Sequence, residues 1–198
     1  MGLVISENGG NRLPLIDEGT YTAVCYAVID MGMQKNEKYG SFAKNVAIIW
    51  ELLDCMVEID GKEEPRIFTQ VYTASLNEKA TLRQHLAAWR GRDFTGEELV
   101  AFDLRNIIGT ACLIQIIHSE KNGTTYANLA SIMALPKSTP KPVMTMEPIL
   151  FDLDTSPLSE IDKLPKWIAN KIRASETYKA REKELDFIEL EDDGELPF

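Results

Sequence analysis

The stretch RIFTQVYTASLNEKATLRQHLAAWR, Arg66 to Arg90, changes its period halfway along. From Arg66 to Thr73 the residues alternate in steps of two. Arg66, Phe68, Gln70 and Tyr72 share one face, and Ile67, Thr69, Val71 and Thr73 share the other, as in a strand. Beyond Ser75 the spacing lengthens: Leu82, Leu86 and Trp89 recur at helical intervals, so a helix is expected over 78–90. Ser75 and Glu78 have capping-box spacing at its start.

Working outward, TYTAVCYAVID (20–30) and NVAIIWELLD (45–54) read as two earlier strands, and a charged turn at Asp60-Gly61 leads into the third. Thr95 and Glu98 repeat the capping spacing for a short helix over 96–102. TACLIQIIH (110–118) and TYANLASIMAL (125–135) then flank HSEKNGT, whose Asn122-Gly123 is a hairpin-turn signal. Three strands, a helical insert and a two-strand hairpin are the order of a five-stranded oligonucleotide-binding (OB) barrel with a helix between strands 3 and 4. The expected fold class is therefore β-rich, with this barrel over residues 1–135.

The remainder divides in three. Pro136, Pro140, Pro142, Pro148 and Pro157 mark 136–157 as an extended connector without regular structure. Residues 158–183 read as a short helical extension, with Pro165 suited to a first helical turn. There Trp167, Ile168 and Ile172 form an apolar patch expected to dock on the body or on a neighbouring subunit. Residues 184–198 are acidic, without Lys or Arg, and read as a disordered tail with room for a partly ordered segment.

Composition bounds the function. With 198 residues, 44% of them hydrophobic, the chain has enough apolar material for one ordinary core. Cys25, Cys55 and Cys112 lie far apart, which fits free thiols in a reducing cytoplasm better than disulfides or a zinc site. No apolar run approaches the roughly 20 residues needed to span a bilayer, and no signal peptide is apparent. The net charge of -10 argues against phosphate binding only in bulk. Residues 1–141 hold 14 basic and 17 acidic side chains, whereas 142–198 hold 7 and 14. The body is nearly neutral and has room for a local basic groove.

No phosphate-cradling GxxxxGK(S/T), HExxH, GxSxG or Cys/His ligand spacing occurs, so no catalytic residue, cofactor or metal is expected. His85 and His118 read as structural or exposed. A binding reading is better supported. In an OB barrel the ligand crosses strands 2 and 3 and is gripped by the loops joining strands 1–2 and 4–5. The first loop, MGMQKNEKYGSFAK (31–44), offers Lys35, Lys38 and Lys44 with Tyr39 and Phe42 between them. Lysines neutralise phosphates and rings stack on bases, which suits single-stranded nucleic acid. Lys121 tips the second loop, with Tyr126 just beyond it. On strand 3, Arg66, Phe68 and Tyr72 form either a stacking platform or part of the core, since parity alone does not say which face looks outward. Trp50 shares parity with Val46, Ile48 and Leu52 and reads as core, as does Trp89 on the apolar helix face.

The C-terminus DDGELPF resembles the acidic, Pro-Phe-ended tip of bacterial single-stranded DNA-binding proteins, at Asp192, Asp193, Leu196, Pro197 and Phe198. Gly194 and Glu195 depart from an unbroken acidic run. WRGRDFTGEELVAFDL (89–104), GTACLIQIIHSEKNGTTYANLASI (109–132) and LPKWIANKIRAS (164–175) are similar to phage and prophage single-stranded DNA-binding proteins. That resemblance implies an OB-fold protein of the bacterial host cytoplasm that coats single-stranded DNA during phage replication, recombination or repair. It also implies recruitment of partner enzymes through the tip. One barrel covers few nucleotides, so homo-oligomers are expected. The rival readings are a strand-annealing recombination mediator and a protein-interaction adaptor without a DNA role.

Overall fold

The computed structural model describes residues 13–36, 40–59 and 61–192, with side chains through Leu185. Three long strands come first: β1 (Gly19–Lys35), β2 (Phe42–Ile59) and β3 (Lys62–Thr73). Helices α1 (Thr81–Arg90) and α2 (Gly96–Val100) and a 3-10 turn (Leu104–Ile107) lead to β4 (Ala111–Lys121) and β5 (Thr124–Ala134). The sheet order is β3-β2-β1-β4-β5, antiparallel throughout. The sheet stays open, because no ladder joins β3 to β5, and the closed barrel expected from the strand order is not formed. Helix α1 touches both of these edge strands and fills the gap. Its Leu82, Leu86 and Trp89 are buried in the core, and Trp89 stacks at a tilt on Trp50, with centroids 5.7 Å apart.

The inner face of the sheet holds one apolar cluster built from alternate positions: Val46, Ile48, Trp50 and Leu52 of β2, Phe68 and Tyr72 of β3, and Ile114 and Ile116 of β4. Thr95 and Glu98 form the capping box that starts α2. The Ser75–Glu78 box does not form. Ser75 and Asn77 hold local turns instead, and α1 begins at Thr81 with no side-chain cap. At the hairpin tip Asn122 (φ 53°) and Gly123 (φ 73°) adopt the left-handed pair that a tight β-turn needs.

A second cluster covers the outer face of β1 and β2, which explains why both strands are buried on both sides at their centres. The connector is not wholly irregular. Ile149–Phe151 form β6, parallel to Ala27–Ile29 of β1 at the position β4 has vacated. A 3-10 turn (Leu158–Lys163) and α3 (Lys166–Ala174) then lay Ile161, Leu164, Ile168, Ala169 and Ile172 against Ala27, Ile29, Ala47 and Ile49. Approach is close at Gly32 (φ +72°), where a Cβ would lie 2.7 Å from a Leu153 methyl and 2.8 Å from Ser175 Oγ. Helix α4 (Glu176–Asp192) runs past Lys183, so the acids from Glu184 to Asp192, read from composition as tail, are helical. Leu185 and the run of Lys, Arg and Glu before it are good helix formers. No helix of the described residues is long and apolar enough to cross a membrane.

Candidate nucleic-acid interface

Two hairpins extend from opposite ends of the sheet. In the first, Lys35 lies opposite Phe42 in the β1–β2 ladder, and both are exposed, the ring at 49%. Lys38 and Tyr39, expected in the same loop, lie outside the described residues. The second is the β4–β5 hairpin. Gly19 pairs with Ile116, so Lys121 projects past the start of β1, at the far end from Lys35. Tyr126, 48% exposed, sits opposite Ser119 on the outer face, with exposed Gln115 and Ile117 on the same side of β4. Bonds from Ser131 to Gln115 and from Asn128 to Ser119 order the amides of this face.

Lys44 behaves differently from Lys35 and Lys121. Its ammonium is held by Asp30 at 2.9 Å and Asp154 at 3.1 Å. Burial pulls its pKa down, but hydrogen bonds to the two carboxylates outweigh this and leave it raised. Its charge is therefore shared with two carboxylates, which sets Lys44 apart from Lys35, the other described lysine of the loop. Lys44 borders a cleft of about 590 Å³ shared with Arg105, Asp103 and Asp152. Oxygens of Asp30, Asp152 and Asp154 lie within 4.8 Å of one another, a geometry that could hold a cation. The Lys44 ammonium already supplies that positive charge. Asp30 and Asp152 also each accept a backbone N–H in their own turns.

The open question on β3 is decided by register. Phe68 pairs with Trp50 and Tyr72 with Val46, which puts both rings inside, 6% and 4% exposed. Tyr72 Oη bonds His85 Nδ1 at 2.9 Å, and burial lowers the His85 pKa. Neither ring presents a face to a base, so the stacking platform expected on this strand is not there. Arg66, opposite Leu52 at the end of the same inward row, is only half-buried. The outward row is Ile67, Thr69, Val71 and Thr73, and only Ile67 is both large and exposed.

Most of the arginines near the inserted helices are paired: Arg83 with Asp93, Arg90 and Arg92 with Glu98, and Arg105 with Asp103. Lys35 and Lys121 form no salt bridge among the described residues. Of the C-terminal tip, Asp192 ends α4, while its side chain and Asp193, Leu196, Pro197 and Phe198 lie outside what is described. Trp167 parts from the apolar patch that it shares with Ile168 and Ile172 in the sequence. Ile168 and Ile172 dock on the sheet, but Trp167 points away from it and is 47% exposed. Stepping about 100° per residue around the helix separates Trp167 from the buried pair. Compared with known proteins, the chain matches no family model and no curated sequence.

Proposed function

We propose that this chain binds single-stranded DNA through sequence-independent stacking and phosphate contacts, without catalysing a reaction. The observation that carries this reading is the strand order β3-β2-β1-β4-β5 with α1 inserted between β3 and β4. It is the order of an OB barrel, and here α1 takes the place of the closing ladder. At the two hairpins that grip the strand in such a barrel, exposed rings stand beside lysines with no salt bridge among the described residues: Phe42 with Lys35, and Tyr126 with Lys121. The outer face of β2 is covered by the C-terminal extension. The nucleotides therefore follow the exposed β4–β5 face and the β1–β2 hairpin instead of the middle of β2–β3. By resemblance, the acidic Pro-Phe tip recruits replication or recombination proteins of a phage or its host, and copies of the chain assemble along the strand.

Anisotropy of labelled oligo-dT in the presence of Tyr126→Ala and Lys121→Ala tests the assignment. Each should weaken binding similarly for every base composition. Unchanged affinity in both variants would remove the β4–β5 face from the interface.

A further inference from the structure

Only one side of α3 is buried. Ile168, Ala169 and Ile172 already satisfy its contact with the sheet. On the opposite side stands Trp167, an aromatic of large area left 47% in water. Around it are Lys163, Lys166 and Lys171, all exposed and none in a salt bridge among the described residues. This is notable in a chain of net charge -10, in which Lys44, Arg83, Arg90, Arg92, Arg105, Arg173 and Lys179 are all paired. Lys166 and Lys171 are about 7.5 Å apart along the helix axis and about 140° apart around it, so they flank Trp167 on either side. The face also adjoins the first hairpin. Gln34 Nε2 donates to the Lys171 carbonyl at 2.9 Å, next in sequence to Lys35.

We infer that α3 is a further contact for the same unpaired DNA strand, with Trp167 stacking on a base and Lys163, Lys166 and Lys171 meeting phosphates. The inference rests on the single-stranded DNA reading above. It makes the C-terminal extension part of the interface as well as a cover for the sheet. The occupant is an unpaired strand because a flat ring among ammonium groups with no salt bridge among the described residues matches exposed bases on a polyanionic backbone.

The test uses the full chain and oligo-dT, following both anisotropy of the labelled DNA and tryptophan emission. Trp50 and Trp89 are 0% and 4% exposed, so Trp167 is the tryptophan open to quenching. Emission should fall as DNA binds. Trp167→Phe should abolish most of the quenching while retaining binding, and Trp167→Ala should weaken binding about five- to fiftyfold. Replacing Lys163, Lys166 and Lys171 together by Ala should reduce the slope of log affinity against log salt by about 2. Thermal melts of all variants should match the parent, because these side chains are outside the core. If oligo-dT binds but emission, affinity and salt slope are indifferent to these changes, the α3 inference falls and the single-strand reading stands. If oligo-dT does not bind at all, the single-strand reading falls first. If emission responds to a peptide of residues 184–198 but not to oligo-dT, the face receives the chain's own acidic tail, which overturns the inference.

Discussion

Glu51 on β2 and Thr145 in the proline-rich connector are joined twice. The buried carboxylate accepts from the Thr145 backbone N–H at 2.7 Å and from its hydroxyl at 2.5 Å, across 94 residues of chain. The Met146 N–H adds a third bond at 3.2 Å. Glu51 is the one charged residue that is fully buried among the described residues, and its bonds fix where the connector crosses the sheet ahead of β6 and α3.

Glu51→Ala should therefore release the connector. Thr145 is exposed and Met146 half-buried, so water takes up part of the freed bonding, and losing the three bonds to the buried carboxylate costs about 1–3 kcal/mol. Urea denaturation should register that loss, and limited proteolysis should cut between Pro136 and Pro148 sooner than in the parent. An unchanged midpoint would mean that the connector is held by its apolar contacts alone.

Gly32→Ala tests the docking of the extension at its tightest point. The positive φ costs about 1–2 kcal/mol for any side chain, and the new methyl also meets Leu153 and Ser175. Gly40→Ala, with φ +65° and open space around it, should lose only the backbone component. Equal melting points for the two variants would contradict the close approach.

Phe68→Ala should cost about 3–5 kcal/mol of stability, as expected for an aromatic removed from a packed core. Tyr126→Ala should leave stability within about 0.5 kcal/mol and weaken DNA binding about fivefold or more. The pair separates core from interface. A stable Phe68→Ala with a selective DNA defect would reverse the assignment of the two faces of β3.

Acid should loosen the α2 region in a defined window. Hydrogen bonds from Arg92, then the Thr95 N–H, hold the Glu98 carboxyl down at about 2, from an ordinary 4.5. A carboxylate depressed on folding stabilises fully above 4.5, and that contribution fades as pH falls through about 2. Glu98→Gln should be less stable than the parent at neutral pH, and the two melting curves should converge between pH 4.5 and 2. A gap that persists to pH 2 would assign the loss to packing rather than charge.

Local chemistry was legible in the sequence where it decided the structure. Asn122-Gly123, the Thr95–Glu98 box and the switch from period two to helical spacing after Thr73 all led to the observed elements in the observed order. What escaped depends on partners distant in the chain. The two rows of β3 alternate equally well, and only pairing with β2 put Phe68 rather than Ile67 inside. Lys44 read as a free cation because Asp154, one of its partners, lies 110 residues away. Three residues of β6 among prolines carry no periodicity of their own, and β1 supplies their ladder.

The most direct measurement of the central claim is equilibrium binding of labelled oligo-dT, set against duplex of equal length, over a series of salt concentrations. Saturable binding that prefers the single strand by about tenfold or more is predicted, with log affinity falling linearly in log salt at about -0.7 per phosphate contacted. Absence of binding, or equal affinity for duplex, would contradict the account.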